Sequence, residues 1–166
     1  MKRILIPVDG SPASMEAVGA AAREGPGSIE RVELLNVQPH FDRYVATFVS
    51  RAWRDGWRAE RARQALDPAR RRLEACGIPC RAHMAVGRIA PEIVWAARSL
   101  AVDEIVVGAR RRGALARLLA SSVTGRLLEL SEVPLRVVPG ARSRTLERIA
   151  LPAGLGLAAL LLLAQD

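Results

Sequence analysis

The sequence predicts an α/β protein built on a mostly parallel sheet with helices on both faces. Three observations carry this. Short apolar runs recur along the chain and are near-continuous, as strands covered on both faces tend to be. Segments of helical pattern separate them, so strand and helix alternate through the body. Strand-to-helix junctions carry turn and cap residues, as in Asp9-Gly10-Ser11-Pro12. A chain of 166 residues, half of them apolar, suits one domain with a full core.

Arg3 to Val8 forms the first strand. Ser11 caps the helix that follows, Pro12 fits its first turn, and the helix runs to about Arg23, before Gly25-Pro26-Gly27. Val32 to Val37 is the second strand. His40 to Ala75 is read as a loop and a long Arg-rich helix, interrupted near Asp67-Pro68. Trp53 and Trp57 lie one turn apart on a shared face, expected to cover the core or a partner surface. Arg70-Arg71-Arg72 is a solvated face. Arg81 to Val86 is the third strand, and Pro91 opens a helix through Ser99. Glu104 to Val107 is the fourth strand, Ala114 to Leu130 a helix, and Leu135 to Val138 the fifth strand. Ligands of such sheets bind beyond the carboxyl ends of the strands, where strand order reverses. The turn at Val8-Asp9-Gly10, the end of the second strand near Val37 and the loop after Val107 are expected to meet there.

The net charge is +8. Nearly every cation is arginine, Lys2 being the only lysine, and the arginines are spread over the chain. Aromatic residues are sparse and are not interleaved with basic ones in the way that stacks bases, so nucleic acid is not the expected partner. Cys76 and Cys80 stand at C-x3-C spacing, and His40 and His83 are isolated in sequence. A structural zinc site needs four ligands, so no metal site is expected, and the cysteines read as two reduced thiols of a cytoplasmic protein. The start MKRILIPVDG is a strand and a turn, not the apolar core of a signal peptide.

The stretch Glu104–Pro139 holds the candidate chemistry. Its loop carries Arg110, Arg111 and Arg112 between Gly108 and Gly113. A loop leaving a parallel strand for a helix gathers backbone N–H groups and meets the positive end of the helix dipole, which favours anions. The spacing Gly108-x4-Gly113 mimics the start of a P-loop, but Ala114 and Leu115 stand where the lysine and hydroxyl should be. No G-x-G-x-x-G follows the first strand, and no Ser/His/Asp or Cys/His arrangement is present. Catalysis is therefore not expected, beyond at most slow ATP hydrolysis.

The blocks ILIPVDGSP, LLNV, Val86-Gly87 before a Pro-containing helix, and VVGARRRGALARLLASSVTGRLLELSEVPLRVVP, in that order and spacing, resemble the universal stress protein domain over residues 1–140. The resemblance implies an open five-strand parallel sheet of order 3-2-1-4-5, adenine-nucleotide α-hydrolase-like, and a homodimer. It also implies a site. In ATP-binding members an aspartate ending the first strand and the end of the second strand hold the adenosine, and a G-x2-G-x9-G-S/T loop holds the phosphates. Asp9 matches that aspartate, Val37 the second-strand contact, Gly108 the first glycine and Ser122 the final hydroxyl. Arg111 and Ser121 stand where the second and third glycines belong. The candidate ligand set is thus Pro7, Val8, Asp9, Val37, Gly108, Arg110, Arg111, Ser121, Ser122 and Val123. Arginine removes the room that glycine leaves for phosphate, yet binds phosphate well by bidentate hydrogen bonds. Two readings stay open: a regulatory member with lost or altered ATP binding that acts through dimerisation and partners, and an ATP-binding member with ATP and Mg²⁺ as ligands.

Residues 141–166 form an apolar tail. Ile149 to Ala164 is a run of sixteen apolar residues, short of the about 20 that span a bilayer. Arg148 to Gly154 echoes Arg3 to Asp9, with Arg, Ile and Pro in register. Three readings follow: the remnant of a second repeat, a segment docking on a membrane or transporter, or an apolar segment packed on the domain or a partner.

Overall fold

A computed structural model describes residues 1–109 and 123–139. Five strands, β1 (Lys2–Pro7), β2 (Ile29–Gln38), β3 (Cys80–Val86), β4 (Glu104–Ala109) and β5 (Leu135–Pro139), form one sheet in the order β3-β2-β1-β4-β5. Every pairing is parallel. The helices are α1 (Pro12–Glu24), α2 (Arg43–Phe48), α3 (Arg51–Glu74), α4 (Ile89–Ser99) and α5 (Val123–Leu130). The expected Ala114–Leu130 helix is described from Val123 onward; its earlier part lies outside the described residues.

Alternate residues of each strand serve opposite faces. Ile4, Ile6, Val32, Leu34 and Val106 join one cluster with Ala17, Val18, Ala21, Ala69 and Leu73 of α1 and α3. Leu5, Leu35, Ile105 and Val107 join a second cluster with Ile93, Ala97 and Leu127 of α4 and α5. The continuous apolar runs of the central strands are explained by this coverage on both sides.

Helix α1 starts as expected. The Ser11 hydroxyl accepts from the Ser14 amide at 3.2 Å, and proline sits in the first turn. Helix α3, by contrast, is not broken at Pro68. The carbonyl that loses its partner to a proline belongs to the residue four earlier, Gln64, and both residues are exposed. That carbonyl lies on the solvent side of the helix, while Ala65, Leu66 and Ala69 stay buried on the side that meets the sheet. Trp53 and Trp57 do not cover the core; both are exposed. Within the Arg70–Arg72 run, Arg70 pairs with Glu74 at 2.7 Å, and Arg72 donates to the Met15 carbonyl at 3.3 Å.

Glu33 is the one charged residue among the buried residues of β2. It is buried, and accepts from Arg31 Nε at 2.6 Å and contacts His83 Nε2 at 2.7 Å. Burial pushes its carboxyl up, but the hydrogen bonds from His83 and Arg31 more than offset this and hold it below the usual carboxylate range. A depressed folded-state pKa gives stability that is present above the unfolded value of about 4.3 and lost as pH falls through the folded one. The melting temperature of the wild type should therefore fall more steeply below about pH 4.3 than that of Glu33→Gln. Parallel slopes in an acid titration of both would show that this carboxyl contributes nothing to the acid limb.

Candidate functional site

The carboxyl ends of β1, β2 and β4 meet at a cleft of about 160 Å³. It is lined by Pro7, Val8 and Asp9, by Leu35 and Val37, and by Val107 and Gly108; Ser11 and Ser14 of α1, Ile89 and Ile93 of α4, and Val123 and Thr124 of α5 complete it. Strand order reverses here, because β2 lies on one side of β1 and β4 on the other. The three sequence points expected to converge do so. Of the ten candidate ligand residues, Pro7, Val8, Asp9, Val37, Gly108 and Val123 line the cleft. Arg110, Arg111, Ser121 and Ser122 lie outside the described residues.

The turn that presents Asp9 is built locally. Gly10 takes φ +80°, a conformation that side chains other than glycine rarely adopt. Asp9 Oδ1 accepts from the Ser11 amide at 2.9 Å, which closes the turn into α1. Burial pushes the Asp9 carboxyl up, but the Ser11 hydroxyl and amide and the Ser14 hydroxyl outweigh it, so it stays ionised below the usual carboxylate range. Beneath the turn, buried Asn36 donates through Nδ2 to the Val8 carbonyl at 2.7 Å, and its own Oδ1 accepts from Gln38 Nε2 at 2.6 Å. The Val8 amide donates to the Leu35 carbonyl at 2.8 Å. The two strand ends are thus clamped to each other under the cleft.

Gly108 has a duty that the sequence does not announce. A Cβ placed there would lie 1.7 Å from the Ala13 carbonyl oxygen and 2.4 Å from its carbon. The end of β4 therefore touches the backbone of the first turn of α1, and only glycine permits that approach. This brings the fourth-strand loop against the Asp9 turn and sets the width of the cleft.

Most of the cleft lining is apolar, with Leu35, Val37, Ile93 and Val107 among it, and Asp9 places a carboxylate on it that can accept from hydroxyl donors. Asp9 is the one carboxylate among the described lining residues. That donor set does not hold a Mg²⁺ on its own, since such an ion keeps octahedral oxygen ligation. A nucleotide would bring the ion on its own phosphates.

The pattern of the universal stress protein family matches residues 1–139. This chain belongs to the universal stress protein family. A universal stress protein of Methanocaldococcus jannaschii is 30% identical over 142 residues, covering 82% of this chain and 81% of the relative. The solved structure of the hypothetical protein MJ0577 superposes with a TM-score of 0.70 at 27% identity, covering 86% of this chain and 98% of that one. A universal stress protein of Arabidopsis thaliana, solved with AMP bound, shares the fold at a TM-score of 0.63 and 16% identity, covering 86% of this chain and 94% of that one.

Sequence reasoning missed Ser11, Ser14, Leu35, Ile89, Ile93, Val107 and Thr124 as lining residues. Some signals were available. Ile89 and Ile93 stand at i, i+4 in the helix after Gly87, and Thr124 follows the final hydroxyl of the loop motif by two positions. Ser11 was legible as a cap, and a cap at the end of a parallel strand faces the ligand side of the sheet. Leu35 and Val107 were legible as strand residues, but their exposure to the cleft depends on where the helices stop covering the sheet.

Proposed function

We propose that this universal stress protein is a regulatory binding module that takes adenine nucleotides by their nucleoside end, with the triphosphate recognition of ATP-binding members lost or altered. One observation carries the reading. Asp9 and Val37, which hold the nucleoside in this reading, line one cleft, whereas Arg111 and Ser121 replace two of the three loop glycines that would receive the phosphates, leaving only Gly108. The relative with bound AMP supports the nucleoside side of this proposal. In this reading the protein works in the cytoplasm, without catalysis, through a homodimer and protein partners. The sheet edges β3 and β5 support association, because an edge strand offers unpaired backbone groups.

Isothermal titration with adenosine, AMP and ATP, with and without Mg²⁺, tests the proposal. The expected result is measurable AMP binding, with ATP no more than about threefold tighter, which is less than 1 kcal/mol. ATP binding tenfold or more above AMP would instead favour recognition through the Gly108–Ser122 loop. Absence of binding by all three would remove the nucleotide reading.

A further inference from the structure

None of the six aromatic residues of this protein is buried, and five of them fall between Phe41 and Trp57. Tyr44 is 74% exposed, Phe48 72% and Trp53 54%. A domain with so few aromatic residues would ordinarily spend them in its core, where each buries a large area. Here they decorate α2 and the start of α3.

That start is an arm. No residue from 51 to 61 is buried; the first buried residue of α3 is Ala62. At 1.5 Å per residue, about 16 Å of helix precedes its first buried residue. Ala65 packs beside Gly10, so the arm extends past the Asp9 turn, beyond the carboxyl ends of the strands. Trp53, Trp57 and Arg61, all exposed, fall within about 80° of the helix circumference, taking 100° per residue; Arg54 and Arg58 lie beside them but turn partly inward, with their Nε atoms buried. Asp55 and Glu60 fall outside that sector. Asp55 is flanked by Arg58 at 3.2 Å and Arg51 at 3.8 Å, and Glu60 pairs with Arg63. Residues 41–63 hold six arginines against three acidic residues. Aromatic and basic residues are thus interleaved in this one segment, against the expectation drawn from the chain as a whole.

We propose that the α2–α3 arm is a docking surface for an anionic lipid bilayer. Three features select this occupant. The excess of arginine calls for an anionic surface and sets two copies of the arm against each other by like charge. Arg58 lies 4.8 Å from the Phe41 ring centre and Arg61 5.5 Å from that of Trp57, so one face of each of these two rings is already taken by a cation and is not open to a base. The mix of exposed Trp, Tyr, Phe and Arg on α2 and the start of α3 suits the bilayer interface, where amphipathic rings sit at headgroup level beside basic side chains.

The test is co-sedimentation of the full chain with phosphatidylcholine vesicles, with and without about one-third phosphatidylglycerol. Binding is expected on the anionic vesicles only, and should weaken about tenfold between low salt and 0.5 M, a range over which surface charges become screened. Trp53→Ala with Trp57→Ala should lower the partition coefficient about tenfold, and so should Arg51→Glu with Arg61→Glu. All four side chains are exposed or carry no core contact, so unchanged melting temperatures should verify folding. In a Trp95→Phe background the remaining tryptophan emission should shift to the blue on vesicle addition. Equal binding to both vesicle types, no binding to either, or undiminished binding by the double-tryptophan variant would overturn the proposal. So would retention on an acidic polypeptide or an oligonucleotide through the same residues without vesicle binding.

Discussion

Gly108→Ala is expected to lower the stability of the free protein by about 3 kcal/mol or more, the upper end of what overpacking costs. The added carbon would stand 1.7 Å from the Ala13 carbonyl oxygen, and the atoms it meets are backbone on both sides. No rotamer change relieves the contact. The remedy is to move α1 away from β4, which strips the first turn of α1 from the sheet and opens the cleft. For a domain of this size the change should drop the melting temperature by about 10 °C. Thermal unfolding followed by circular dichroism, without nucleotide, measures it. The absence of ligand matters, because a glycine kept only for phosphate would tolerate alanine in the free protein. A melting temperature within about 2 °C of wild type would show that Gly108 serves the ligand and not the fold.

Asp9→Ala is expected to weaken AMP binding by about tenfold to a hundredfold, the range for losing a charged hydrogen-bond acceptor worth about 1.5–3 kcal/mol. The carboxylate lines the cleft beside Leu35, Val37 and Val107, and its hydrogen bonds to Ser11 and Ser14 hold it below the usual carboxylate range. It also holds the turn, since Oδ1 accepts from the Ser11 amide. Asp9→Asn separates the two roles: it keeps an oxygen for Ser11 and loses the charge. Affinity restored by Asn would assign Asp9 to the shape of the turn. Affinity lost in both variants would assign it to direct contact with the nucleoside hydroxyls. Wild-type affinity in both would place the nucleotide elsewhere. Titration calorimetry with AMP reads all three outcomes.

Much of the fold was legible because its signals are local. The apolar runs at Ile4 and Leu34 mark strands covered on both faces, and Asp9-Gly10-Ser11-Pro12 marks a strand end, a turn and a cap. The break expected at Pro68 failed for a reason that is not local. Whether proline ends a helix depends on whether the orphaned carbonyl faces water, and that follows from which side of α3 meets the sheet. For the two tryptophans, the core half of the expectation was decided in the same way. Their spacing placed them on one face, but spacing cannot say whether that face meets the core or overhangs it.

The sequence by itself determined the family, the order of elements and the meeting of the first two strand ends, at Asp9 and Val37, in one cleft. These depend on residue type and spacing along the chain, which a linear pattern carries. Tertiary structure alone decided that Gly108 is needed against Ala13, that Asn36 clamps the Val8 carbonyl, and that Glu33 is a buried ion-paired carboxylate. It also decided that the start of α3 stands free of the core. Each of these is a contact, or a missing contact, between segments remote in sequence. Such approaches are set by how helices seat on the sheet, and the amino acids on either side do not record the distance between them.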